Sequence, residues 1–181
     1  GTGLREPKVI LTAAAQRIEV DGFQSPYSEV GKQTQKVPAL GKANYAIIVV
    51  CAYTLYSWIY QVQSMKYPLL ILQDTHMRCK ASNHVLKVYA ADSQLLPVAK
   101  FNTHITVTDA YCRKYCITPA ISTPREHNTE TPLVEERIKC IKDLTEFAVT
   151  SILTNPEFPH MGFTTRHIYE LWGELAEWAN D

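Results

Sequence analysis

Glycine is scarce in this chain, with seven residues in 181. Nucleotide-binding folds place glycine where the backbone must approach a phosphate, and neither G-x-G-x-x-G nor a phosphate-cradling glycine loop occurs. G-x-S-x-G and H-E-x-x-H are missing too, which removes the nucleophile elbow of α/β-hydrolases and the helical zinc site of metalloproteases. Neither sign of charge dominates. Eighteen basic residues balance eighteen acidic ones, which disfavours a strongly basic nucleic-acid binder or a cationic membrane-surface protein. Cysteine is too sparse for a disulfide scaffold. The five present, Cys51, Cys79, Cys112, Cys116 and Cys140, are odd in number; they read as reduced thiols and predict an intracellular, reducing compartment. Residues 1–42 are too polar to supply the core of a secretory signal.

The balanced total hides an asymmetry. Residues 1–126 carry fourteen basic against eight acidic residues, and residues 127–181 carry four against ten. Opposite charges of this kind suit head-to-tail contacts between copies or an attraction between the two parts of one chain.

The longest feature is residues 43–65, which hold no charge, glycine or proline. With no turn residue beyond Asn44, a hairpin is not expected. At helical pitch the segment sorts into an aliphatic stripe (Ile48, Leu55, Ile59, Val62), an aromatic one (Tyr45, Tyr53, Tyr56, Tyr60) and a polar one (Thr54, Ser57, Gln61, Ser64). The pattern therefore predicts one long apolar helix, either packed in a core or anchoring the chain as a single membrane span. The polar stripe favours the core.

Residues 1–42 read as an N-terminal arm with a short element at 9–20, and 43–181 as a single α+β domain with a loop at 119–131. Apolar runs at 69–73, 85–90 and 98–108 predict a small antiparallel sheet. Two amphipathic helices follow. Thr131-Pro132 with Glu135 and Glu136 is a start signal, Asn155-Pro156 a stop, and Thr164 or Thr165 caps a final helix. The expected fold is thus α+β: a small antiparallel sheet, preceded by one long apolar helix and followed by two C-terminal amphipathic helices.

Ile168, Leu171, Trp172, Leu175 and Trp178 line one face of the last helix. They are its candidate partner-binding residues, because buried aromatic anchors dominate docking energies. Asp74, His76, Cys79 and His84 cluster in sequence, with His104, Cys112 and Cys116 further on. His76, Cys79, Cys112 and Cys116 would form a tetrahedral zinc site if their segments met, although the spacing lacks paired C-x2-C knuckles. The expectation is otherwise of no cofactor. A cysteine nucleophile beside a histidine is the enzymatic alternative, and Arg113-Lys114 between Tyr111 and Tyr115 the weak nucleic-acid one. Glu135, Glu136, Asp143 and Glu146 read as a solvated helix face. These features point to a non-enzymatic structural or adaptor subunit of the coat, matrix or complex-assembly type. It would self-associate as a homo-oligomer or dock on a protein partner.

Overall fold

The computed structural model describes residues 10–99, 104–122 and 130–181. Its centre is a five-stranded mixed sheet in the order β5-β4-β1-β6-β7. Strands β1 (Arg17–Gln24), β4 (Tyr45–Cys51) and β5 (Ser57–Val62) form an antiparallel meander, with Val20 opposite Val49 and Ile48 opposite Ile59. Strands β6 (Val88–Asp92) and β7 (Thr118–Ser122) run parallel to β1. A two-stranded ribbon, β2 (Ser28–Glu29) with β3 (Lys32–Lys36), lies outside the sheet.

This overturns the expected architecture of a small antiparallel sheet behind one long helix. Residues 43–65 are two strands and a turn. Strand β4 is buried from Ala46 to Cys51 because both of its faces are covered, so it reads as a continuous apolar run without alternation. The turn uses no glycine: Leu55 takes a left-handed conformation at φ 63°, its N–H donates to the Cys51 carbonyl at 2.8 Å, and the Cys51 N–H donates to Tyr56 at 2.9 Å. A leucine there costs about 1 kcal/mol of backbone strain, which sheet pairing on both sides offsets. No described helix is long and apolar enough to cross a membrane.

Helices are also spread through the chain. Helix α1 (Pro68–Ala81) occupies the segment expected to hold the first strand, with Pro68 in the first helical turn, where its missing N–H costs nothing. Helix α2 (Val107–Lys114) starts at a Thr106/Asp109 capping box. Residues 100–103 and 123–129, within the expected strand 98–108 and loop 119–131, lie outside the described residues. Helix α3 (Pro132–Leu153) begins at the expected signal, α4 (Thr165–Tyr169) is capped by Thr164, and α5 (Trp172–Asn180) follows directly.

Two cores result, one on each face of the sheet. Ile18, Val20, Ile47, Val49, Tyr89 and Ala91 pack beneath Ile71, Leu72 and Cys79 of α1 and Cys112 of α2. Phe23, Ala46, Ile48 and Val50 pack beneath Val134, Ile138 and Ile141 of α3 and Trp172 and Ala176 of α5. Gly173 lets α5 come close: a Cβ there would stand 2.9 Å from that of Ala39.

Candidate functional site: carboxylates on the α3 face

Alternation along β1 sends Ile18 and Val20 to the α1 side, so Glu19, Asp21 and Phe23 face α3. On β6, Tyr89 and Ala91 face α1, which leaves Asp92 on the α3 side. The parallel ladder of β1 with β6 ends at Glu19 and Ala90, and beyond it Asp92 lies close enough to Asp21 to act on its carboxyl. Neighbouring strands lie about 5 Å apart. Asp92 is also opposite Ser122 of β7, whose Oγ accepts a 3.4 Å hydrogen bond from Thr131.

Glu19 ties α3 to this face. Its carboxylate is 2 % exposed and accepts the backbone N–H of Leu133 at 2.8 Å and of Val134 at 3.3 Å. Thr131, expected to cap the helix, makes no side-chain capping bond; the cap comes from β1, over a hundred residues away. Arg17 adds a second tie, donating to the Glu130 carbonyl at 2.6 Å and its carboxylate at 3.1 Å. With α3 so anchored, Glu135 in its first turn enters the field of both Glu19 and Asp21. It is half-buried and not part of a freely solvated face.

The electrostatics follow from that crowding. Burial raises the Asp21 carboxyl to about 6, Asp92 and Glu135 push it the same way, and the Gly22 N–H, donating at 2.8 Å, and Lys142 oppose. Burial also raises Glu19, against its two backbone donors and Arg17, while Glu135 adds to the rise. Lys142 lies over the Phe23 ring, 5.3 Å from its centroid.

Glu19→Ala removes two charge-assisted bonds at the start of α3 and is expected to lower stability by roughly 1–2 kcal/mol. Glu19→Gln, which keeps a carbonyl acceptor, should recover most of the loss. Urea melts of the three proteins check both statements.

The residues singled out from sequence fall elsewhere. His76 and Cys79 are on α1, Cys112 is on α2, and Cys116 follows it, exposed. His76 Nδ1 lies 2.7 Å from the Tyr111 hydroxyl. Among the described residues no group of three or more His, Cys, Asp or Glu side chains is placed to hold a metal ion. Asp74 pairs with Tyr60 and with Arg78, and His104 is exposed. In the last helices, Ile168 and Trp172 are buried, Leu171 and Leu175 half-buried, and Trp178 is exposed. The Trp172 indole donates to the Val37 carbonyl at 3.0 Å.

Two hollows of about 470 Å³ lie on the α1 side, around Met65 and Leu70 and around Cys51 and Trp58. Neither is lined by Glu19, Asp21, Asp92 or Glu135.

No family model and no curated protein matches the chain. Among solved structures it is similar to the HTLV-2 integrase catalytic core domain in complex with magnesium. The trimeric form shares 12 % identity over 87 % of this chain and 83 % of that one, and the dimeric form 11 % over 87 % and 85 %, both at TM-score 0.44. At that level of overlap the likeness decides nothing about function, which must be judged on the side chains themselves.

The acidic site had no local signature. Asp21, Asp92 and Glu135 are 71 and 43 positions apart. The available signal was an aspartate late in each of two apolar runs, IEVD and VYAAD, followed by a helix with an early glutamate.

Proposed function

We propose that this protein is a divalent-cation-dependent phosphoryl-transfer domain acting on phosphodiesters, with Asp21, Asp92 and Glu135 holding the cation. The observation that carries the reading is the electrostatic coupling of three acids from β1, β6 and α3 on one face, where burial first, and then Asp92 and Glu135, raise the Asp21 carboxyl to about 6.

The donor chemistry fits. All three ligands are hard oxygens, as Mg²⁺ and Mn²⁺ prefer and as zinc sites seldom are. Asp21 engages one oxygen with the Gly22 N–H, and Asp92 engages one with the N–H groups of Gln94 and Leu95, both at 3.0 Å. Each carboxylate keeps its second oxygen, and Glu135 has no side-chain hydrogen bond among the described residues. When bound, such a cation polarises a phosphoryl oxygen and lowers the pKa of an attacking water.

The chain's own residues supply position and charge. Strands β1 and β6 bring Asp21 and Asp92 within electrostatic reach of each other, and Glu19 and Arg17 hold the start of α3, whose Glu135 acts on Asp21. Lys142 offers an ammonium group to a phosphate oxygen beside Asp21. Lys139, one turn after Glu135 on the same side of α3, extends that cationic edge. A docking or self-association role, expected from the sequence, would rest on Trp178, since Trp172 is already engaged inside the fold.

Hydrolysis of bis(4-nitrophenyl) phosphate and of a labelled oligonucleotide, with Mn²⁺ or with EDTA, tests the proposal. Product should form only with the cation and be lost in Asp92→Asn. Cation-independent cleavage, or an unaltered rate in Asp92→Asn, would overturn it.

A further inference from the structure

On the opposite face of the sheet, the ends of α1 and α2 bring together residues that the carboxylate site does not use. Tyr115, at the C-cap of α2, is 38 % exposed. Its ring centroid lies 4.7 Å from that of Tyr111 and 4.9 Å from that of His76. The Lys80 ammonium of α1 stands 5.6 Å from the Tyr115 centroid and that of Lys114 of α2 stands 5.3 Å from it. Arg113 is exposed beside them.

Basic residues in a last helical turn complement the macrodipole, which explains each cation singly. It does not explain why two ammonium groups from different helices share one tyrosine. Among the described residues Lys80, Arg113 and Lys114 form no ion pair. Asp109, one turn before Arg113 on α2, feels that guanidinium but is engaged by the N–H groups of Ala99 at 2.8 Å and Thr106 at 3.0 Å. His76 is held below its usual range by burial and by Lys80, so at neutral pH it adds an aromatic face and no charge. The result is a net positive patch built around three aromatic rings.

We propose that the Lys80–Tyr115–Lys114 patch is a binding site for single-stranded nucleic acid, in which the ammonium groups and Arg113 take backbone phosphates and the Tyr115 ring, backed by Tyr111 and the buried His76, takes a base. Stacking platforms flanked by cations are the recurrent means of holding unpaired strands. A cationic patch for a lipid headgroup would not need the rings. The site goes beyond the phosphoryl-transfer reading and does not depend on it, because the carboxylates lie across the sheet.

Fluorescence anisotropy of a labelled twenty-nucleotide deoxythymidine strand, in EDTA so that nothing is cleaved, tests this on the full chain. Lys80→Ala with Lys114→Ala should weaken binding at least tenfold and flatten the plot of log K against log salt by about 1 to 1.5, the loss of two phosphate contacts. Tyr115→Ala should weaken it about fivefold or more, and Tyr115→Phe much less. The cation is chelated throughout, so failure of the carboxylate reading would leave this result standing. Equal affinities throughout would overturn the proposal. So would a lysine effect seen equally with vesicles of phosphatidylserine while Tyr115→Ala changes nothing, since that describes charge alone. Unchanged circular dichroism of each variant secures the comparison.

Discussion

Asp21→Asn is expected to abolish cation-dependent phosphodiester cleavage, by about a thousandfold or more, while making the cation-free protein more stable. The two effects have one cause. Burial first, then Asp92 and Glu135, raise the Asp21 carboxyl from 3.8 to about 6, so the folded chain binds that proton more tightly than the unfolded one. The stability attached to this group therefore falls as pH rises from about 4 to about 6. Above that window the penalty is fully present, at most about 3 kcal/mol. Asparagine does not ionise and escapes it. The variant should gain on the order of 1–3 kcal/mol at pH 7.5 and no more than about 0.5 kcal/mol at pH 4. Added Mn²⁺ should narrow the difference by stabilising only the unaltered chain. Paired urea melts at the two pH values, alongside the cleavage assay, check each part. A variant less stable at pH 7.5 would mean that Asp21 is held by partners that favour its charge.

Trp172→Ala is expected to cost about 3–5 kcal/mol, enough to unfold a marginal domain. Its ring is fully buried and tilted against Phe23 at 6.0 Å, and its indole N–H meets Val37. Truncation leaves a large cavity in the core beneath α3 and α5 and orphans a carbonyl. Trp178→Ala, at a position 57 % exposed, should change stability by less than about 0.5 kcal/mol. Thermal melts of the two variants separate a core tryptophan from a surface one.

That contrast shows where sequence reasoning reached. The start and stop of α3 and the cap of α4 were legible because local chemistry sets them: Pro132 at the first turn, Asn155-Pro156 beyond the end, and Thr164 bonding the His167 N–H. The sheet was not. A strand covered on both faces loses its alternation, so Tyr45–Cys51 carried no period-two signal, and the turn after it rests on Leu55 in a conformation that leucine rarely adopts. Strand β1 was obscured by Glu19 and Asp21, which look like solvent-facing residues until α3 is laid over them. The α3 cap was misassigned for a related reason: Thr131 is the local candidate, but Glu19 has the better placed acceptor. The acidic site is a product of topology, since parallel pairing of β1 with β6 and the docking of α3 assemble residues that no spacing rule connects. At the patch between α1 and α2, the sequence showed Tyr111, Arg113, Lys114 and Tyr115 together, but Lys80 and His76 join them only through packing.

The most direct test of the central claim is a Mn²⁺ titration of the purified chain by isothermal calorimetry at pH 7.5, repeated with Asp21→Asn, Asp92→Asn and Glu135→Gln. The account expects saturable binding in the unaltered chain and a loss of at least tenfold in affinity in each variant, with fold retained. Absence of saturable binding, or equal affinity in all four proteins, would contradict it.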